Sequence, residues 1–113
     1  MNTTELSKFI AEAASDKKAR DIVILDMAKV SLVTDYFIIC SANSTTQVKA
    51  IADNIEDELG KKEISFKSKE GYREGRWVLM DYYDCVVHIF LDEDREFYNL
   101  ERLWSEAPQV RYE

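Results

Sequence analysis

The chain is short of the residues that break or bridge a fold: its 113 residues include one proline, three glycines, two cysteines and one histidine. So little proline and glycine excludes a collagen-like or low-complexity chain. Cys40 and Cys85 each stand in an apolar run (FIIC and DCVVHIF), where a thiol behaves as a small hydrophobe, and two cysteines make no disulfide framework. A bridge would need their two strands to adjoin, which the sequence leaves open; reduced thiols are the expectation. A lone histidine, His88, spells neither a metal site nor a triad, and no nucleophile-plus-base arrangement accompanies it. No cofactor is expected. No apolar run approaches the roughly 18 residues of a membrane span. The opening MNTTELSKFIAEAASDK carries acidic residues and no signal-type apolar core. The expected location is the cytoplasm, with no membrane partner.

What is present suits one packed interior: 46% of residues are hydrophobic and 12% aromatic, which excludes a disordered chain. A single domain over residues 1–113 is the expectation. The 15 Lys and Arg face 22 Asp and Glu, a net −7. Such a chain does not neutralise phosphates unless its basic residues are sorted onto one face.

Hydrophobic periodicity predicts the elements. Leu6, Phe9, Ile10, Ala13 and Ala14 form a helical stripe, with Asn2 and Glu5 as a reciprocal cap. DIVILDM (21–27) and YFIICSA (36–42) read as buried strands. Ser44 and Gln47 have capping-box form before a helix burying Val48, Ile51, Ala52, Ile55 and Leu59, and Gly60 reads as its left-handed stop. Ile64 and Phe66 alternate as in a half-exposed strand, and KSKEGYREG reads as a loop. WVLMD (77–81) and CVVHIF (85–90) form a hairpin. Asp92 caps a final helix with Phe97, Leu100, Leu103 and Trp104 on its apolar side, ended by Pro108. The predicted order, α-β-β-α-β-β-β-α, is an α/β chain, a mixed sheet flanked by helices.

Three regions are candidates for chemistry. CSANSTTQ (40–47) places a helix start where an anion can bind, but capping alone accounts for Ser44 and Gln47, and no Gly-rich phosphate loop is present. Asp81 and Asp84 flank a turn; they either serve that turn or hold a metal, without the Gly-Ser and Asp-x-Asp of metal-dependent nucleotidyl transfer. Charge is sorted more tellingly. Residues 61–76 hold six basic residues against three acids, and residues 81–106 hold eight acids against two arginines. The acidic block is rich in Trp and Tyr, the residues that dominate binding hot spots, beside Arg95, Tyr98 and Glu101. Core packing is the alternative reading of Trp77.

DYFIICSANSTTQVKAIADNI, then EG…WVLMDYYDCVVHIF, then REFYNLERLW resemble the Iojap family, the ribosomal silencing factors, from about Ile22 to Trp104. Matching positions include Asp26, Asp35, Ser44, Gln47, Gly71, Trp77, Asp81, His88, Arg95, Tyr98, Glu101 and Trp104. The resemblance implies a non-enzymatic translation factor with a nucleotidyltransferase-like fold lacking the catalytic motif. Such a factor binds a basic large-subunit ribosomal protein, of the uL14 type, at the subunit interface. It blocks joining to the small subunit and represses translation under nutrient limitation. The resemblance also implies a homodimer when free. The contact residues expected are Trp77, Met80, Asp81, Tyr82, His88, Arg95, Tyr98 and Glu101, with a minor rRNA contact over Lys61–Arg76. Where the family carries a glycine in the hairpin turn this chain has Tyr83, so either the turn differs or Asp84 takes the left-handed conformation. The alternative reading is a metal-dependent, nucleotidyltransferase-like enzyme acting on nucleotides.

Overall fold

The computed structural model describes residues 1–111. In chain order the elements are α1 (Thr3–Ser15), β1 (Arg20–Asp26), β2 (Tyr36–Ala42), α2 (Thr45–Gly60), β3 (Ser68–Glu70), β4 (Trp77–Asp81), β5 (Cys85–Leu91), α3 (Asp92–Tyr98), α4 (Leu100–Leu103) and β6 (Gln109–Val110). The strands form one mixed sheet in the order β3-β4-β5-β2-β1-β6. Only the central β2–β5 pair is parallel. The α/β class read from the sequence is the one found.

Helices α1 and α2 pack on one side of the sheet, where Ile10, Ala14, Ile51, Ile55 and Leu59 close over Ile38, Val78, Val87 and Ile89. Both helices start as their sequences dictate. Asn2 accepts from the Glu5 N–H while Glu5 reaches back to the Asn2 N–H, the full reciprocal cap. Ser44 Oγ accepts from the Gln47 N–H at 3.1 Å, but Gln47 turns outward, accepting from the Asn43 N–H and donating to the carbonyls of Lys17 and Lys18. The helix start is thus capped and tied to the end of α1.

Several expectations need correction. Gly60 is not a left-handed stop; it remains helical, and the positive φ falls at Glu63 (φ 60°). Ile64 and Phe66 lie outside any strand and lean on the core, whereas β3 forms at residues 68–70, inside the stretch read as loop. There Ser68, Lys69 and Glu70 pair with β4, because backbone hydrogen bonds need no apolar alternation. Asp92 is not a cap but the first residue of α3, its carboxylate paired with Arg20. The final helix is split at Asn99 (φ 47°), a residue type that tolerates the left-handed region. Residues 109–110, beyond Pro108, add the edge strand β6.

The two cysteines are free and buried. Their strands do adjoin, but Cys85 sits opposite Tyr36 and Cys40 opposite Ile89. An offset of four residues along a strand is about 13 Å, well beyond disulfide reach. Burial raises both thiols to about 12, so they stay protonated and inert.

At the β4–β5 turn, Tyr83 itself takes the left-handed conformation (φ 72°). Its N–H donates to Asp81 Oδ1 at 2.7 Å, and Tyr82 and Cys85 close the turn. A β-carbon in this region costs about 1–2 kcal/mol, part of which glycine returns through its freer unfolded chain. Tyr83→Gly is therefore expected to raise stability by about 0.5–1 kcal/mol in urea denaturation; a loss would mean that the exposed ring stabilises the turn.

Candidate interaction surface

The side of the sheet away from α1 and α2 is built by strand alternation. On β4, Val78 and Met80 point into the main core while Trp77 belongs to the opposite side. On β5, Cys85, Val87 and Ile89 enter the core and Phe90 lies opposite. Register sets Trp77 beside Phe90, Leu79 beside His88 and Asp81 beside Val86, with Phe37 and Ile39 across β2. Leu25, Met27, Ile39, Phe90 and Ala107 are buried here, under Leu100 and Trp104 of the C-terminal segment.

A continuous band of rings crosses this side. Trp77 stacks on Phe90 at 4.9 Å between centroids, Tyr98 of α3 lies 4.7 Å from Trp77, and Phe97 meets Tyr98 edge-on at 5.1 Å. Phe37 meets His88 at 4.6 Å and Trp104 at 6.1 Å. The outer end of the band is bare: Phe97 is 81% exposed, Leu103 70% and Tyr98 48%. These three come from one short segment. Apolar side chains concentrated in that way mark an interaction surface better than scattered ones do.

His88 is buried inside the band. Trp77 Nε1–H donates to His88 Nδ1 at 3.2 Å, which places the neutral ring's proton on Nε2, where no partner is found among the described residues. Burial among rings lowers its pKa to about 4. It is a neutral structural imidazole at physiological pH.

Arg95 and Glu101 hold the exposed segment in place. The Arg95 guanidinium forks onto Glu101 at 3.0 and 3.2 Å and donates to Ser41 Oγ at 3.1 Å, joining α3 and α4 to β2. Only 12% of its side chain is exposed. The clamp adds to the Tyr98–Trp77 packing and the Arg20–Asp92 and Arg76–Asp94 pairs in fixing two short helices, neither of which buries a residue fully.

Of the eight expected contact residues, Trp77, Asp81, His88 and Tyr98 are brought to this side. Met80 and Tyr82 are not: Met80 is fully buried and Tyr82 only 3% exposed, both in the core beneath α1 and α2. The strand period reverses facing at each residue, so Met80 cannot share a side with both its neighbours. Arg95 and Glu101 are committed to each other. Phe97 and Leu103, read from the sequence as core, are instead the most exposed rim; Asn99, a left-handed-tolerant residue in mid-stripe, was the signal.

Charges are less separated than the sequence blocks suggested. Lys61 pairs with Glu58, Lys69 with Glu56 and Arg76 with Asp94, and Lys62 lies over the Phe9 ring. Four of the six basic residues of 61–76 are thus engaged within the chain. The Asp81 carboxylate serves the turn through Tyr83, and the Asp84 carbonyl accepts from Asp35 and Tyr36 N–H and from Thr34 Oγ1.

Comparison with known proteins gives a consistent result. The profile of the family described as "Ribosomal silencing factor during starvation" matches residues 1–113. The ribosomal silencing factor of Bacillus subtilis is 50% identical over 108 residues, covering 96% of this chain and 92% of that protein. The mouse protein named "Mitochondrial assembly of ribosomal large subunit protein 1" is 32% identical over 92 residues, covering 79% of this chain and 40% of that one. A crystal structure of a Chromobacterium violaceum protein superposes with a TM-score of 0.91 at 36% identity, covering 93% of this chain and 88% of the other. One from Bacillus halodurans superposes with a TM-score of 0.86 at 44% identity, covering 96% and 98%. With sequence and fold matched over nearly its whole length, the chain belongs to the ribosomal silencing factor family.

Proposed function

We propose that the protein docks on the large ribosomal subunit through a basic ribosomal protein of the uL14 type and, by occupying the joining surface, keeps the small subunit away. It acts in the cytoplasm by occupancy and needs no catalytic group. The observation that carries this reading is the bare end of the ring band, where Phe97, Tyr98 and Leu103 stand exposed beside Trp77. Acidic residues flank it on α3, Glu93 and Glu96, and Asp81 stands on the same side at the far end of β4. Apolar anchors with an acidic surround suit a partner that is basic because it lives on RNA. The relatives' names point to the ribosome, and the mouse relative's names the large subunit. Lys67 and Arg73 are left for a minor rRNA contact, and free copies pair over the same rings as a homodimer.

The test is co-sedimentation with isolated large subunits through a sucrose cushion, followed by addition of small subunits. Phe97→Ala combined with Tyr98→Ala is expected to weaken binding at least about tenfold, the loss of one hot-spot contact, and to restore subunit joining. Phe97 is largely exposed and Tyr98, half exposed, gives up its packing on Trp77, so the melting temperature should fall by only a few degrees. Unchanged co-sedimentation of the folded double variant would remove this surface from the interface. Glu101→Lys is a poor probe, because it sets a second cation against Arg95 and disturbs the clamp instead of the contact.

A further inference from the structure

On the helix-covered side, away from the ring band, the last turns of α2 and the segment after it border an open pocket of about 600 Å³. Glu56, Asp57 and Gly60 line it from the helix, Lys61, Ile64 and Phe66 from the segment, and Tyr82 from the β4–β5 turn. Its volume is that of a small-molecule site.

Two features have no structural explanation within the chain. The Tyr82 hydroxyl is buried and has no hydrogen-bond partner among the described residues, although the ring is packed edge-on to Phe66 at 6.2 Å. A buried hydroxyl with nothing to bond is costly, and phenylalanine would fill the same space without it. Gly60 is the second. It is helical, without a positive φ, and a β-carbon there would meet no atom within 4 Å. Neither backbone conformation nor close packing calls for glycine, which weakens a helix relative to alanine. Gly60 is a lining residue, so a side chain there would stand at the rim of the pocket.

The electrostatics choose the ligand's sign. Asp57 has no ion pair among the described residues, and Glu56 engages Lys69 through one oxygen at 2.7 Å. The C-terminal end of α2 adds roughly half a negative charge. Burial and the nearby Glu56 raise the Tyr82 pKa, so the phenol stays neutral and offers its oxygen as an acceptor. Lys69 Nζ already lies 5.4 Å from the Phe66 ring, a cation held by the same groups. Lys61 also lines the pocket but is turned onto Glu58 at 2.9 Å, so Glu56, Asp57 and the helix end leave the site net negative.

We propose that this pocket binds a small organic cation with a flat apolar body, its N–H groups meeting the Tyr82 hydroxyl and the Glu56 and Asp57 carboxylates while the body lies on Ile64 and Phe66. The site is separate from the ring band, and its failure would leave the ribosomal reading untouched.

Benzamidine is a suitable probe and benzoate its control, with the same ring and the opposite charge. In amide NMR titrations of the whole chain, benzamidine should shift residues 56–66 and the Tyr82 turn, with a dissociation constant of about 1 mM, as befits nine heavy atoms. Benzoate should shift none of them. Tyr82→Phe should weaken binding about fivefold or more, one hydrogen bond to a charged group. Gly60→Leu, which favours the helix and places a side chain at the rim, should abolish it. Absent or scattered shifts with benzamidine, equal shifts with benzoate, or undiminished binding by either folded variant would overturn the proposal.

Discussion

Lowering the pH from 7 to 5 is expected to destabilise the protein by about 2 kcal/mol through one side chain, His88. Its pKa falls from the ordinary 6.5 to about 4 because burial penalises the charged imidazolium. Between those two values the unfolded chain holds a proton that the native chain refuses, so protons favour unfolding. The stability is complete above about pH 6.5 and is lost as the pH falls towards 4. The packing leaves little room for relief: Phe37, Trp77 and Phe90 surround the ring, and Nδ1 is already engaged by the Trp77 indole. Urea denaturation at pH 7, 6 and 5 measures the effect. His88→Gln keeps a polar side chain that does not titrate, and it should flatten the profile whatever it does to stability at pH 7. A variant whose stability falls with acid as steeply as that of the parent would assign the effect to other groups.

Gly71→Ala is expected to be more damaging, by about 3 kcal/mol or more. Gly71 has φ +79°, and a β-carbon there would stand 2.0 Å from the carbonyl oxygen of Trp77. Both partners are backbone, so no side chain can swing aside; the loop or the start of β4 must move. Trp77 opens β4 and anchors the ring band, and displacement there should also change the near-ultraviolet circular dichroism of its indole. Gly75→Ala is the internal comparison. Its φ is similarly positive (+71°), but the β-carbon would meet Thr45 Cβ, Lys49 Cε and the Thr45 carbonyl oxygen at 3.0–3.1 Å, contacts that a small shift relieves, unlike the overlap at Gly71. Its cost should be close to the strain alone, about 1–2 kcal/mol. Equal losses at the two positions would show that the Trp77 carbonyl yields easily.

The contrast between these glycines and Gly60 shows where reading a sequence stops. All three look alike as letters near loop boundaries. Gly71 and Gly75 have positive φ, whereas Gly60 stays helical and the left-handed turn that ends its helix falls three residues later, on Glu63. A turn of that kind is selected by how the chain re-enters the core at Ile64 and Phe66, which no local pattern records. Tyr83 makes the same point in reverse, since a bulky residue takes a glycine's conformation because Asp81 and the β4–β5 register hold it there.

By itself the sequence determined the α/β class, both long helices with their caps, the central strands β2, β4 and β5, the family resemblance, and the acidic, aromatic character of the C-terminal block. These rest on local periodicity and on hydrogen bonds between near neighbours, which a short window contains. Only the tertiary structure decided which rings are bare and which are core, that Arg95 and Glu101 clamp each other and Ser41, that β3 and β6 exist, and that Tyr82 and Gly60 border a pocket. Each depends on residues far apart in the chain: Trp77 with Tyr98, Ser41 with Arg95, Gly60 with Tyr82. Burial and charge pairing are properties of neighbours in space, and those neighbours come together only when the sheet has formed.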